Sequence, residues 1–95
     1  MALTFEWDTR KAAANEKKHR VGFKEASTVF GDPLGWFLAD DVHSGYEERL
    51  LLLGRSSGNR LLAVLFTERG DELVRIISAR LATPRERRKY EKDFR

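Results

Sequence analysis

The chain contains no cysteine, two prolines and one methionine in 95 residues. The absence of thiols excludes disulfides, zinc–cysteine sites and cysteine nucleophiles, and makes a reducing cytoplasm the expected location. No apolar run approaches the ~20 residues that a membrane-spanning helix needs. Met1-Ala2-Leu3-Thr4 leads straight into Phe5-Glu6-Trp7-Asp8, with no secretory signal pattern. A phosphate-binding P-loop is missing too, since Gly54-Arg55-Ser56-Ser57-Gly58 has no lysine and no following helix. His19 and His43 lie far apart, and Asp40, Asp41 and His43 sit in a polar loop without a further partner. No metal site and no cofactor is therefore expected, and no Ser-His-Asp triad follows from the spacing.

Charge is abundant, and its placement says more than its total of +3. Residues 8–20 carry five Lys/Arg against two acids, residues 84–95 six against three, and the middle stretch 21–83 seven against nine. Both ends are basic around a slightly acidic centre. Converging beside the ends of the last strands, the two basic segments would form one cationic cleft suited to a polyanion. Two solvated helix faces are the plainer alternative.

Ninety-five residues make a single domain, 1–95, with one modest core. Alternation predicts a strand at residues 3–7, after which Asp8 caps a helix over residues 9–20. Phe23, Ala26, Val29 and Phe30 fall at helical spacing, and Gly31-Asp32-Pro33 ends that second helix. Strands follow at residues 34–39, 46–54, 61–66 and 72–80. Thr83-Pro84-Arg85-Glu86 is a helix start with a cap, a first-turn proline and a capping-box glutamate. The order β-α-α-β-β-β-β-α, with short turns between the later strands, gives an α+β domain. Its antiparallel meander carries two helices before it and one after.

Several side chains stand out chemically. Lys11, Asn15, Lys18 and His19 share one face of the first helix, where His19 can move a proton or pack under the next loop. Trp7 can stack on a base or fill the core. Glu47 and Glu48 open a leucine-rich strand and point to opposite faces, so one of them can orient Arg49, Arg80 or His19, or simply discourage edge pairing. Arg69 and Arg80 lie near the ends of the last two strands, where a planar guanidinium matches phosphate oxygens. For Arg69 a turn role, and for Arg80 a salt bridge to Glu86 or Glu48, remain open. Tyr90 can stack, donate a proton or pack.

Taken in order, Phe5-Glu6-Trp7-Asp8, Lys11, Asn15, Lys18-His19, Val21, Phe23 and Ala26 resemble the opening of the BrnT ribonuclease toxins. Glu47-Glu48-Arg49, Gly54, Glu68-Arg69-Gly70, Arg75 to Arg80, Ala82-Thr83, Glu86-Arg87 and Tyr90 resemble the remainder. The resemblance implies a RelE-like fold and a metal-independent endoribonuclease that blocks translation. It also implies a BrnA-like antitoxin with a ribbon-helix-helix domain as partner, and contact with operator DNA only through that antitoxin. Family members often carry glycine after the helix-ending Lys-His, whereas this chain has Arg20. On this reading Arg69 and Arg80 hold the scissile phosphate, with His19 and Glu48 as candidates for proton transfer. Lys11, Lys18, Arg49, Arg85 and Arg88 steer the RNA backbone, and Trp7 or Tyr90 stacks. A non-catalytic RNA- or protein-binding module of the same fold is the competing reading.

Overall fold

The computed structural model describes residues 2–39 and 48–92. In chain order the elements are β1 (Thr4–Glu6), α1 (Thr9–His19), α2 (Phe23–Thr28) with a closing 3-10 turn (Val29–Gly31), β2 (Trp36–Ala39), β3 (Leu50–Arg55), β4 (Leu61–Glu68), β5 (Leu73–Leu81) and α3 (Pro84–Lys92). The order is the one expected from the sequence. The five strands form one sheet in the order β1-β5-β4-β3-β2. From β2 to β5 every pairing is antiparallel, while β1 joins the outer side of β5 in parallel, a pairing that the local pattern of three residues does not reveal.

One expected boundary shifts for a physical reason. The strand expected from residue 34 starts at Trp36, because the amides of Leu34 and Gly35 are turned back onto the side chain and carbonyl of Asp32. Of the strand expected over residues 46–54, the described part is β3, Leu50–Arg55. Glu47 lies outside the described residues, as do Asp40, Asp41 and His43.

Alternation along the strands sorts the core into two layers. On one face Leu52, Leu62, Val64, Phe66, Ile76 and Ala79 meet Val21, Phe23, Ala26 and Val29 from α2 and its approaches. On the other, Leu53, Leu61 and Ala63 are buried where α3 packs against β3. Tyr90, 1 % exposed, closes this second layer by donating its hydroxyl proton to Asp32. Asp32 also accepts from the amide of Arg55, which ties α3, β3 and the turn after α2 together.

The helix starts follow their local signals. Asp8 accepts from the amides of Arg10 and Lys11 at 2.8 and 3.1 Å. Thr83 and Glu86 form the reciprocal capping box, with the amide of Thr83 donating to Glu86 and the amide of Glu86 to the Thr83 hydroxyl. At the end of α1, Arg20 takes φ 59° and ψ 33°, the left-handed conformation that favours glycine. Its carbonyl accepts from Arg60, whose guanidinium is also clasped by Glu25.

Candidate functional site

The face of the sheet opposite α2 is only partly covered by α3, and the rest of it carries arginines. A register irregularity at Leu65/Phe66 leaves Ile77 unpaired, so Arg75 pairs with Thr67, Ser78 with Leu65 and Arg80 with Ala63. Thr67, Leu65 and Ala63 alternate along β4, hence Arg75, Ser78 and Arg80 share one face. The two arginines stand about 13 Å apart along the strand, four residue steps of ~3.3 Å.

Each arginine is held by an acid. Arg80 makes a two-pronged pair with Glu86, Nη1 to Oε1 at 2.8 Å and Nη2 to Oε2 at 3.1 Å. Arg80 holds the carboxyl of Glu86 below the usual range, against the opposing effect of burial, and the Thr83 amide adds to the lowering. Reciprocally, the carboxylate hydrogen bonds keep Arg80 more firmly charged. At the other end, Arg75 Nη1 lies 3.0 Å and Arg69 Nε 3.8 Å from the same oxygen of Glu6. A fork already aligned to a carboxylate has the planar geometry that a phosphate also accepts.

Arg69 and Arg80 thus lie on one side of the sheet, with Arg75 and Glu6 as members that the chain's motifs did not single out. Odd spacing argues against Arg75 sharing a face with Arg80, and only the bulge reverses it. Glu48 is exposed just before β3, and its backbone carbonyl is bonded by the Thr67 hydroxyl. Arg49 follows it, half-buried. Arg85 and Arg88 line a groove of about 750 Å³ with Trp36, Lys89 and Lys92.

The first helix is placed differently from expectation. Asn15, expected on a phosphate-facing polar stripe, is 7 % exposed and spends its amide on backbone. Its nitrogen donates to the carbonyls of Val21 and Ala79, and its oxygen accepts from the Ala79 amide. It completes the edge of β5 beyond the point where β1 ends. Consecutive residues of β5 therefore anchor both basic helices, α1 through Asn15 on Ala79 and α3 through Glu86 on Arg80. Lys11 and Lys18 are exposed along α1. His19 is half-buried at its end. Basic charge in that last turn also suits the helix dipole.

Two aromatic candidates are packed into the fold. Trp7 packs edge-on against Phe23, ring centres 6.0 Å apart, beside the main core. Tyr90 is buried, and burial together with the neighbouring Asp32 pushes its hydroxyl up to about 12. It therefore keeps its proton at neutral pH and presents no open ring face to a base. The aromatic residue at the basic groove is instead Trp36, whose ring lies 5.6 Å below Lys89 Nζ. Read as the bulk of a strand, Trp36 carried no sequence signal that separates it from core.

Among the described residues, no group of three or more His, Asp or Glu side chains is arranged to hold a metal ion. No described helix is long and apolar enough to cross a membrane.

The arrangement is similar to that of a known protein. The crystal structure of the Brucella abortus ribonuclease toxin BrnT superposes with a TM-score of 0.62 at 24 % identity, covering 86 % of this chain and 99 % of that one. At this identity the likeness establishes the fold. No curated protein matches the chain. The family model for the ribonuclease toxin BrnT of type II toxin–antitoxin systems matches residues 7–86, a span that runs from Trp7 through Arg69, Arg75 and Arg80 to the capping-box glutamate. With a match over most of its length, the chain belongs to the BrnT ribonuclease toxin family.

Proposed function

We propose that this chain is an endoribonuclease that cuts RNA without a metal ion, acts in the cytoplasm to arrest translation, and is neutralised by a BrnA-like ribbon-helix-helix antitoxin. The observation that carries the reading is the alignment of Arg75, Arg80 and nearby Arg69 on the open sheet face, in a member of a ribonuclease toxin family. A ribose 2′-hydroxyl gives up its proton and attacks the adjacent phosphate. The P–O5′ bond breaks and the 5′-oxygen leaves as a hydroxyl, and negative charge builds on the phosphoryl oxygens on the way to the 2′,3′-cyclic phosphate. Pre-aligned guanidiniums stabilise that charge as it develops. The substrate phosphate replaces Glu86 or Glu6 as the partner of an arginine that is already oriented.

Arg80 and Arg69 are assigned to the phosphate, with Arg75 beside Arg69. Proton transfer falls to His19 or Glu48, and Glu6 keeps Arg69 and Arg75 in register. Lys11, Lys18, Arg49, Arg85 and Arg88 guide the backbone. In this assembly the antitoxin alone contacts operator DNA.

The test is cleavage of single-stranded RNA by the purified protein in excess chelator, with the product ends identified. Wild type is expected to leave a 2′,3′-cyclic phosphate, and Arg80→Ala to lose cleavage. Binding without products supports the alternative of a non-catalytic module. Expression of the chain alone is expected to arrest growth, and co-expression of the antitoxin to restore it.

A further inference from the structure

We propose that the groove between α3 and β2 is a subsite for single-stranded RNA flanking the cut, with phosphates on its lysines and arginines and a base against Trp36. This rests on the ribonuclease reading above and deepens it by assigning Trp36, Lys89 and Lys92, which neither the motifs nor the family match singles out. The groove encloses about 750 Å³ and is lined by Trp36, Arg85, Arg88, Lys89 and Lys92.

The charge pattern is costly to the helix itself. Arg85, Arg88, Lys89 and Lys92 recur at i, i+3, i+4 and i+7, so they line one face and repel one another. Both described acids of α3 are engaged elsewhere, Glu86 with Arg80 and Glu91 with Arg87. Arg85 also sits in the first turn, where the helix dipole disfavours a cation. Lys89 and Lys92, in the last turn, suit the dipole, but Arg85 and Arg88 do not gain from it. Among the described residues no acid pairs with this stripe, which leaves its four cations available to the phosphates of a bound molecule.

Trp36 indicates which kind of polyanion. Its ring faces Lys89 at 5.6 Å, and its indole N–H is shut off from solvent with no acceptor among the described residues. A strand of nucleotides brings phosphates for the cations together with a flat base for the ring of the tryptophan. An acidic peptide matches only the cations. When Lys89 turns toward a phosphate, the indole is bared for the base. The groove lies on the same sheet face as Arg80, because cross-strand pairing runs Trp36–Leu53–Ala63–Arg80, and Glu86 of the same helix holds Arg80. Seven residues of helix span about 10 Å, long enough to follow a short run of single strand.

The experiment compares a trinucleotide with a single-stranded RNA of about 20 nucleotides as substrates for wild type, the double variant Lys89→Gln/Lys92→Gln, and Trp36→Leu. The double variant is expected to raise KM on the long RNA about ten-fold with little change in kcat, and to lose much less on the trinucleotide. Its affinity for the long RNA should fall less steeply with salt, by about 1.4 in log–log slope for two lost contacts. Trp36→Leu should raise KM on the long RNA while leaving that slope unchanged. Equal losses on both substrates overturn the subsite. So does an unaltered KM combined with lost affinity for the purified antitoxin, which would assign the groove to an acidic protein partner. Should wild type cut neither RNA, the ribonuclease reading fails separately. Fluorescence anisotropy with the same long RNA then still decides the groove: weakened binding by the double variant supports it, and unchanged binding overturns it.

Discussion

Arg75 and Arg80 are five residues apart on one strand yet point from the same face of the sheet. In a regular strand an odd separation sends two side chains to opposite faces. The unpaired Ile77 supplies the extra step, so that Ile76 and Ala79 both stay in the core while Arg75 and Arg80 both stay outside it. This single irregularity brings the arginines of the candidate site together.

Replacement of Arg80 by alanine is expected to lower RNA cleavage by about two orders of magnitude or more, as removal of one oriented charge donor does. Arg80→Lys keeps the charge but loses the fork, and is expected to rescue only part of the loss. The partly exposed pair with Glu86 contributes about 1 kcal/mol or less after solvent screening, so both variants should remain folded. Arg75→Ala is expected to reduce cleavage about ten-fold with a similarly small change in stability. Cleavage assays paired with thermal melting check all three, and a folded, fully active Arg80→Ala variant removes Arg80 from the site.

Asn15 should matter for stability rather than chemistry. Asn15→Leu leaves the amide and carbonyl of Ala79 and the carbonyl of Val21 without their partner. With each orphaned buried group costing ~1–3 kcal/mol, a loss of about 3 kcal/mol or more is expected in urea unfolding. Asn15→Asp should be nearly as damaging, because a carboxylate accepts from Ala79 but cannot donate to the two carbonyls.

Arg20 occupies a left-handed conformation at the end of α1. Arg20→Gly removes the clash of Cβ with the backbone, and is expected to stabilise the fold by about 1 kcal/mol. Its backbone carbonyl still accepts from Arg60. Chemical denaturation shows the gain as a higher midpoint with an unchanged slope.

The pH profile should have two limbs. Glu25 is held below its ordinary 4.5, by Arg60 first, and Glu86 below the same value, by Arg80 first. At Asp32 burial acts upward, but the amide of Arg55, the hydroxyl of Tyr90 and the amide of Leu34 outweigh it and leave the carboxyl below 3.8. Groups with lowered folded values contribute stability above their unfolded values, and lose it as pH falls through the folded ones. Melting temperature should therefore drop as pH is taken below 4.5. Tyr90 has the opposite sign: burial first, then Asp32, raises it from 10.0 to about 12, so its contribution is present below pH 10 and is lost between 10 and 12. Tyr90→Phe should flatten this alkaline limb and lower stability at neutral pH, while leaving RNA cleavage in place.

Much of the architecture was legible in the chain because its signals are local. Asp8 and Thr83 cap their helices through amides two or three residues away, and Gly31-Asp32-Pro33 ends the second helical stretch where expected. The site was less legible. Arg69 and Arg80 were recognisable as guanidiniums at strand ends, but Arg75 was hidden by its odd spacing, and Trp36 by looking like any apolar strand residue. Asn15 and Tyr90 suggested chemistry by residue type, and both proved to be bonded into the fold.

By itself the sequence determined the elements, their order and the concentration of positive charge at both ends, because capping, alternation and helical periodicity act within a few residues. Only the tertiary structure decided which charges meet. The parallel seat of β1 brings Glu6 to Arg75, the bulge turns Arg75 to the face of Arg80, and Asn15 draws α1 onto the edge of β5. Each of these depends on backbone pairing between distant segments, and one unpaired residue there reverses which face every later side chain occupies.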